Sequence, residues 1–481
     1  MTAEIAPVKF SRLSRRGVLL GLSPGQLSAL GISAITLVVA LYAGGTPATA
    51  IAVPVIGGCT TIAFLKVGGR PVVTWLPIGA VWLQRSTTGQ LDYRRNLSRP
   101  RPAGTLALPG DAARLQQWED TQTGAVMVHD PHAATLTAIV SVTHPAFVLL
   151  DPADQQRRVT GWGRVLASAC RSGRLATVQV TERTLPDSGK GLTEWWSAHG
   201  THDDSWAART YTELIDRAGP ASERHATTIS IGLDMQAASR AIRAAGGGRK
   251  GAAAVLRQEM STIAAALRSA DLIPNGWLTP ADLAVVLRSA YDPDTAPVLE
   301  RHPVLGRELT DAGPLAIAET WGSLRSDSAH HAVLWISEWP RSQVYPGFLA
   351  PLLLSPGVRR TLTMLFQPLR TDAAARDIRR KKTEYVSDAA QRAKIGQIED
   401  AQQSAEYRDV LQQEAELTAG HGLLRTIGLI TISAPNEHEL EQAIATVEQA
   451  AIQASCETRR LWGQQAQSFA ASLPLGRRLG A

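Results

Sequence analysis

Histidine and aspartate side chains cluster in one six-residue stretch, His199-Gly200-Thr201-His202-Asp203-Asp204. Imidazole nitrogens and carboxylate oxygens are zinc ligands, so the stretch offers three or four of them. Support from paired cysteines is missing, because the chain has only three isolated ones: Cys59, Cys170 and Cys456. We therefore interpret the stretch as a solvated turn and expect no metal site.

A phosphate-binding loop and a pair of chelating histidines are the next candidate sites. Glycines in Ser188–Gly191 and Gly246–Gly251 could expose backbone N–H groups to a phosphate, but the spacing GxxxxGK[ST] occurs nowhere in the chain. His330 and His331 are neighbours in an apolar run typical of a strand, so their side chains point to opposite faces and cannot chelate together. The sequence thus predicts no catalytic residue, no cofactor and no enzyme activity.

The positive charge of the chain belongs to its first fifth. The 481 residues carry a net charge of +6, and residues 1–101 alone hold eleven Lys or Arg against two acids, or +9. The other 380 residues are at −3, which disfavours broad contact with nucleic-acid phosphates. A hydrophobic fraction of 44% excludes a disordered chain. We expect a folded protein with no direct nucleic-acid partner.

An uncharged run of 49 residues, Gly17–Leu65, predicts a membrane anchor. A helix needs about 20 apolar residues to cross the hydrocarbon core, so the run has room for two crossings. Gly44–Pro47 marks a turn between a first helix near Gly25–Tyr42 and a second near Thr49–Val67. The sequence therefore predicts a transmembrane helical hairpin over residues 25–67.

Basic residues flank both ends of this hairpin. Residues 1–24 form a basic leader, and the turn carries no charge, so the positive-inside rule places both termini in the cytoplasm. The expected location is the inner (cytoplasmic) membrane, with two passes through the lipid bilayer. A rival interpretation is a twin-arginine export signal at Arg15-Arg16 with cleavage near Ala48–Ala50. The exported product would then begin with another apolar stretch, which suits a soluble protein poorly.

The segment 68–101 is expected to lie along the membrane surface. Trp75 and Trp82 are seven residues apart and share a face of a helix, and Arg70 and Arg85 flank them. Tryptophan and arginine are enriched at the headgroup layer. These four residues are the predicted membrane-interface site, with a short core-packing helix as the alternative.

The rest of the chain alternates strand-like and helical patterns. We expect an α+β sandwich built from ferredoxin-like units over residues 102–371, completed by a strand–helix region over 420–481. Between them, residues 372–419 read as a long, charge-rich helical arm or hairpin with a broken apolar stripe. Core packing explains most apolar residues of this region. The candidates for partner binding are two tryptophans across the end of one strand and two residues of the arm: Trp335, Trp339, Tyr385 and Ile395.

Several short stretches of the chain carry a family resemblance. They are Gly69-Arg70-Pro71, Trp75-Leu76-Pro77, Thr88-Gly89-Gln90, Leu149-Leu150-Asp151-Pro152, Gly161-Trp162-Gly163, Glu182-Arg183-Thr184-Leu185-Pro186, Trp335-Ile336-Ser337-Glu338-Trp339-Pro340-Arg341 and Leu461-Trp462-Gly463. With these stretches the chain resembles conjugation-associated membrane proteins of actinobacteria. The hairpin with its following residues resembles the small PrgI-like membrane subunit of type IV secretion systems, and the remainder resembles the non-catalytic N-terminal region of the large secretion ATPase. Full ATPases of this kind continue into a motor with a phosphate-binding loop, which this sequence lacks.

The resemblance implies an assembly role. We expect a non-catalytic scaffold subunit of a conjugative or type IV secretion-like channel, which docks a separately encoded ATPase and channel subunits as part of a homo- or hetero-oligomer. A membrane-tethered degenerate ATPase and a DNA-handling subunit of the same machinery are the alternatives.

Overall fold

The computed structural model describes residues 10, 22–96, 98, 104–144, 147–218, 223–302, 306, 308–310, 312–395 and 401–477, without the side chains of 218, 391–395 and 401–403. The chain divides into two compact units. The smaller unit is Leu13–Leu91, and the larger one comprises Met1–Arg12 and Asp92–Ala481.

The smaller unit is built on a long apolar helix, α1 (Pro24–Phe64). Ser23 caps it: the Ser23 hydroxyl accepts from the backbone N–H of Gln26, and the Gln26 side chain accepts from the N–H of Ser23. The helical dihedral angles break at Gly45, whose φ of 59° lies in the left-handed region that glycine tolerates. In the described part of the chain, α1 is the one helix long and apolar enough to cross a membrane.

The chain reverses direction at Gly45. Gln26 Nε2 donates to the carbonyl oxygen of Ala63 at 2.8 Å, and Ser33 Oγ donates to that of Ile56 at 3.4 Å. A straight helix would separate residues 26 and 63 by about 55 Å, at 1.5 Å per residue. The two arms of α1 therefore lie antiparallel, tied by a few polar groups.

A short ribbon and a second helix complete the smaller unit: β1 (Lys66–Val67), β2 (Arg70–Pro71) and α2 (Leu76–Thr87). The second apolar arm ends at Phe64, because the chain turns through Gly68 and Gly69, both at positive φ, to pair β1 with β2. The second apolar helix, predicted to run to Val67, therefore ends three residues earlier.

The described residues of the larger unit contain an antiparallel sheet of thirteen strands. In chain order these are β3 (Asp92–Arg94), β4 (Gln116–Glu119), β5 (Val126–Asp130), β6 (Thr135–Thr143), β7 (Leu175–Pro186), β8 (Glu223–Asp234), β9 (Ile273–Trp277), β10 (Ala316–Glu319), β11 (Leu324–Ser326), β12 (Ala329–Glu338), β13 (Arg359–Leu369), β14 (Leu423–Ala434) and β15 (Glu457–Arg460). Their order across the sheet is β3-β10-β11-β12-β14-β13-β7-β8-β6-β5-β4, with β15 also paired to β12 and β9 to β6.

Helices connect and cover the strands. They are α3 (Pro152–Ser172), α4 (Lys190–His199), α5 (Trp206–Ala218), α6 (Ser239–Ala244), α7 (Gly248–Ser269), α8 (Pro280–Tyr291), α9 (Ala296–Arg301), α10 (Ala350–Leu353), α11 (Thr371–Ile395), α12 (Ala401–Thr418), α13 (Glu437–Gln453) and α14 (Gln465–Ser472). The α+β class with a large antiparallel sheet confirms the expectation from sequence.

The sheet contains the same topology twice. In the first half the strand order is β9-β6-β8-β7, and in the second it is β15-β12-β14-β13, each being the 4-1-3-2 order of a ferredoxin-like unit. Strands β7 and β13 join the halves edge to edge. Each half carries a helical insert between its second and third strands: α4 and α5 in the first half, α11 and α12 in the second.

Three buried apolar clusters hold the helices against the two faces of the sheet. On one face, α3 and α7 cover the first half and α10 and α13 cover the second. On the other face, one cluster extends across both halves beneath α8 and α14. The alternation is visible in β12, where Val333 belongs to this shared cluster while Ala332 and Leu334 face α13.

A segment near the C-terminus crosses the shared face. Leu473–Gly476 bonds buried polar side chains of the first half: Gln179 Nε2 donates to the Leu473 carbonyl at 2.8 Å, and Thr177 Oγ1 to that of Gly476 at 2.9 Å. Ser472, at the end of α14, bonds the second half through Thr363, whose hydroxyl donates to its carbonyl at 2.9 Å. We call Leu473–Gly476 the C-terminal strap.

Candidate functional site

The histidine–aspartate stretch begins at His199, the last residue of α4, and continues into the loop that precedes α5. Its side chains bond locally: His202 Nε2 contacts the Ser197 carbonyl at 3.0 Å, and Asp203 accepts from the Ser205 hydroxyl at 2.6 Å. Within the residues that the structure describes, no group of three or more His, Cys, Asp or Glu side chains is placed to hold a metal ion.

Two glycine-containing stretches match enzyme motifs by letter, and sequence reasoning passed over both. Gly246–Gly251 fits GxGxxG, but it follows helix α6 rather than a strand, so the strand–turn–helix context of a dinucleotide site is missing. Ser23 stands in a GxSxG pattern, yet its hydroxyl caps α1 instead of ending a strand. Neither motif forms a catalytic arrangement.

His331 is a buried polar centre of the second half. Its ring nitrogens lie 2.8 Å from the hydroxyls of Ser326 and Ser433, and Nε2 lies 3.1 Å from the Tyr291 carbonyl. Burial lowers its pKa to about 4, so the ring is neutral at pH 7. His330 is only partly buried on the opposite side of β12, as the sequence predicted. This arrangement suits a structural core histidine.

The predicted membrane-interface residues all lie in the smaller unit. Trp75 directly precedes α2, and its indole N–H donates to the Val67 carbonyl at 3.2 Å. Trp82 and Arg85 lie within α2, while Arg70 belongs to β2. All four side chains are half-buried within their unit.

The two candidate tryptophans of β12 do not form one patch. Trp335 packs against the cluster shared by both halves, whereas Trp339 packs against the cluster under α13. The pairing of β12 with β15 shifts register between Ile336 and Glu338, and the strand ends there. This irregularity turns Trp339 to the opposite face, so a surface containing both indoles is not formed.

Trp339 instead contacts Phe10, which belongs to the same unit. The ring of Phe10 stacks on Trp339 with centroids 5.1 Å apart, and Phe348 meets Phe10 edge-on at 5.5 Å. Such offset and edge-on pairs contribute about 0.5–1.5 kcal/mol beyond their burial. Sequence reasoning missed Phe10, because it is a lone aromatic residue in a basic leader.

Tyr385 and Ile395 lie in the second insert. Helices α11 and α12 form an antiparallel hairpin, because Lys382 pairs with Glu414 at 2.8 Å and Tyr385 stacks on Tyr407 with centroids 4.4 Å apart. Tyr385 is buried in this contact. Ile395 ends α11, and its side chain lies outside the described residues. Among the side chains of the insert that the structure describes, Val386 and Leu411 are exposed large apolar ones.

A cavity of about 580 Å³ opens on the shared face of the first half. Its floor is β7 and β8, and its walls are β9, α8 and α9. Arg183, on β7, lines it with 4% of its surface exposed, and Arg183 Nη2 donates to the Ser289 hydroxyl at 3.0 Å. Sequence reasoning missed this residue, although a charged residue at a core-facing position of a strand was the available signal.

One family comparison matches this chain. Residues 221–336 match the model of the family described as "Putative type VII ESX secretion system translocon, EccE", a span of 116 residues in a chain of 481. The span runs from just before β8 through most of β12 and includes the α8–α9 wall of the cavity. No curated protein matches the chain.

The chain is thus similar to a secretion-translocon family. This supports the expectation of a secretion-associated membrane protein, whereas the type IV or conjugative class is not supported by the match.

Proposed function

We propose that the chain is a membrane-anchored, non-catalytic scaffold subunit of a secretion translocon of the type VII kind. The match of residues 221–336 to a translocon family carries this proposal. The scaffold docks a separately encoded ATPase and channel subunits and works as part of an oligomer. The conjugative type IV channel implied by the quoted sequence stretches is the second candidate.

The arms of α1 are the proposed membrane anchor. Each arm has about 20 residues, and the charged residues begin only outside the Gly17–Leu65 run. The contact of Phe10 with Trp339 supports an even number of crossings, because it joins residues before and after the hairpin in one unit. We therefore propose two passes with both termini cytoplasmic, and Trp75, Trp82, Arg70 and Arg85 at the headgroup layer.

The hairpin also argues against cleavage after an export signal. Gln26 and Ala63 lie on opposite sides of the Ala48–Ala50 stretch, and their hydrogen bond joins segments that cleavage would separate. Cysteine labelling from either side of the membrane tests the topology. Cysteines introduced at Leu13 and Gln90 should both react from the cytoplasmic side, and periplasmic reaction at either position contradicts it.

The helical inserts are the proposed docking elements. The second insert exposes Val386 and Leu411, and the first exposes Trp206 and Leu214. Scattered exposed apolar side chains on a projecting hairpin suit contact with a helical partner. We assign the ATPase to the second insert, whose greater length extends further from the sheet.

Co-purification from detergent extracts tests this assignment. The second insert is shortened by replacing residues 383–413 with a short glycine linker, beyond the Lys382–Glu414 pair and above the buried base at Ala374 and Ile378. The matched control replaces residues 197–211 of the first insert, beyond the Trp196–Thr212 hydrogen bond. We expect the intact protein and the control to retain an ATPase, and the shortened second insert to lose it.

Other outcomes separate the candidates. If the intact protein retains neither an ATPase nor a channel subunit, the scaffold proposal fails. ATP turnover lost on Lys190→Ala or Lys250→Ala would instead favour the degenerate ATPase. Salt-dependent DNA binding would favour a DNA-handling subunit.

A further inference from the structure

The cavity of the first half combines apolar walls with a buried guanidinium group. Leu185, Trp277, Val285 and Leu299 supply apolar surface around its opening. Arg183 lies at its floor, on the strand β7 that pairs with β8 on one side and β13 on the other. A cavity of this size holds a small organic group, and polar side chains lie among its apolar walls.

Arg183 has no anionic partner among the residues that the structure describes. The described residues provide it with one hydrogen bond, from Nη2 to Ser289, and with no ion pair to a carboxylate. A guanidinium has five N–H donors, and a buried cation without a counter-charge destabilises the fold. Burial, followed by the neighbouring charge of Arg224, lowers the pKa of Arg183 to about 10, which still leaves it charged at pH 7.

Arg360, a buried arginine of the same sheet, hydrogen-bonds backbone carbonyls through both terminal nitrogens, although its buried Nε has no hydrogen-bond partner among the described atoms. It lies on β13 and is as buried as Arg183. Its guanidinium donates to three backbone carbonyls, those of Leu353, Ser355 and Val358, the last at 3.1 Å. Arg183 has no comparable set of acceptors among the described residues, so a structural role alone does not account for it.

The other charged side chains that line the cavity are Arg224, Asp282 and Glu300. Arg224 and Asp282 have partners within the protein, whereas one oxygen of Glu300 can still accept a hydrogen bond. Arg224 pairs with Glu300, with Nη1 and Oε1 2.9 Å apart. Asp282 accepts from the N–H and the hydroxyl of Thr279 in the capping box of α8. Glu300 Oε2 is buried and has no hydrogen-bond partner among the described atoms, so it can accept from an N–H. The cavity thus offers an anion site at Arg183 and an acceptor at Glu300.

We propose that this cavity binds a carboxylate carried by an apolar group, with Arg183 as the carboxylate ligand. A bidentate guanidinium–carboxylate pair uses the free donors, and the apolar walls hold the attached aliphatic group. The carboxylate belongs either to a small free acid or to the C-terminus of a peptide. The acceptor at Glu300 favours the peptide, because the last backbone N–H of a peptide lies beside the C-terminal carboxylate of that peptide. The inference is independent of the scaffold role proposed above.

Calorimetric titration of the full chain in lipid nanodiscs tests the site. The probes are N-acetyl-leucine, which mimics a peptide C-terminus, its amide N-acetyl-leucinamide, and isovalerate, which has the carboxylate without the N–H. We expect N-acetyl-leucine to bind about tenfold or more tightly than the amide. Tighter binding of isovalerate than of N-acetyl-leucine would identify a small free acid as the source. Equal affinity of the acid and the amide, or no binding of either acid, would overturn the proposal.

Arginine variants separate ligand binding from folding. Arg183→Met should weaken N-acetyl-leucine binding about tenfold or more and leave the Tm unchanged or higher, because it removes an uncompensated buried charge. Arg360→Met is the matched control and should lower the Tm, because three carbonyls lose their donor, while its folded fraction keeps the affinity. Full binding by Arg183→Met, or a loss of Tm as large as that of Arg360→Met, contradicts the proposal. The acid–amide comparison on the unaltered chain decides the matter even if a variant fails to fold.

Discussion

The two ferredoxin-like halves share a strand order but differ in the helix layer that covers them. The first crossover contains the 21-residue helix α3, whereas the second contains only α10, with four residues. In the first half Trp162 of α3 covers the sheet and meets Phe366 edge-on, with centroids 6.2 Å apart. In the second half the aromatic pair Trp339 and Phe348 is covered by Phe10, a residue from outside the repeat.

The two halves therefore repeat one strand order but present different surfaces, as their buried arginines show. Each half buries one arginine on the strand that joins the halves, Arg183 on β7 and Arg360 on β13. Only Arg360 is surrounded by backbone carbonyls, because the loop around α10 supplies them. The first half thus has a cavity lined by an arginine with no carboxylate partner among the described residues, and the second has a core whose aromatic side chains are covered by Phe10.

The largest expected effect comes from removing the C-terminal strap, which hydrogen-bonds buried polar side chains of the first half. Deleting residues 473–481 leaves Thr177, Gln179 and Ser230 without their buried acceptors. Each unsatisfied group costs about 1–3 kcal/mol, and the buried Leu473 and Leu475 add about 1.5–3 kcal/mol each. The sum is comparable to the whole stability of a domain.

We therefore expect this deletion to abolish a cooperative thermal transition, as monitored by circular dichroism. Deleting only residues 478–481 is the control and should leave the transition in place. Ser472→Ala addresses the second half, where it removes the 2.8 Å bond from Thr431 and should lower the free energy of unfolding by about 1 kcal/mol. A cooperative transition retained after deletion of 473–481 would show that the strap is dispensable.

The next effect tests the close packing of α3 on α7 in the first half. A Cβ on Gly161 would lie 2.8 Å from both Cα and Cβ of Ala270, at the end of α7. Gly161→Val should destabilise the protein by about 3 kcal/mol, because the helices cannot approach so closely. On the same helix, Gly163 faces open space, and Gly163→Ala should stabilise by about 0.5–1 kcal/mol. Denaturant unfolding of both variants measures the difference; equal values would refute the packing argument.

Local patterns predicted much of this fold. Apolar runs bounded by glycine and proline indicated most of the longer strands, and the uncharged Gly17–Leu65 run indicated the apolar hairpin. The paired topology followed from the strand–helix alternation, because a ferredoxin-like unit is the compact solution for that order. The short strands β3, β10 and β11 at one end of the sheet were not predicted, since three or four residues show no measurable alternation.

The candidate sites were harder to predict. Trp335 and Trp339 are four residues apart, and only the register shift near Ile336 reveals that they face different clusters. The contact of Phe10 with Trp339 and the juxtaposition of Arg183 with Ser289 join residues more than 100 positions apart. No local pattern contains such information, because long-range packing creates both features.

A smaller, pH-dependent effect is expected in the second half. In the unfolded chain His331 has its ordinary pKa near 6.5, whereas burial lowers its folded pKa to about 4. Between these values the unfolded chain binds a proton that the folded chain does not, so stability falls as the pH drops from about 6.5 to about 4. The loss approaches about 3 kcal/mol near pH 4.

His331→Gln isolates this contribution from that of the carboxylates. Its free energy of unfolding should fall less steeply across the same pH window than that of the unaltered chain, as measured by urea titrations at pH 7, 5.5 and 4.5. His330→Gln, on the half-exposed side of β12, is the control and should retain the full slope. Parallel pH profiles for the unaltered chain and His331→Gln would contradict the assignment.

The smallest effect tests whether the Phe10 ring covers the part of the second half that the four-residue helix α10 leaves open. Phe10→Ala removes the ring that covers Trp339 and Phe348 and should lower stability by about 1–2 kcal/mol. Hydrogen exchange should quicken around α10, whose short length leaves the cluster dependent on that ring, and stay unchanged around Trp162 in the first half. Phe10→Leu should restore part of the protection, because it refills the apolar volume without the stacking. Faster exchange around both halves would mean that Phe10 acts on the domain as a whole, and the contrast between the two helix layers would then lose its basis.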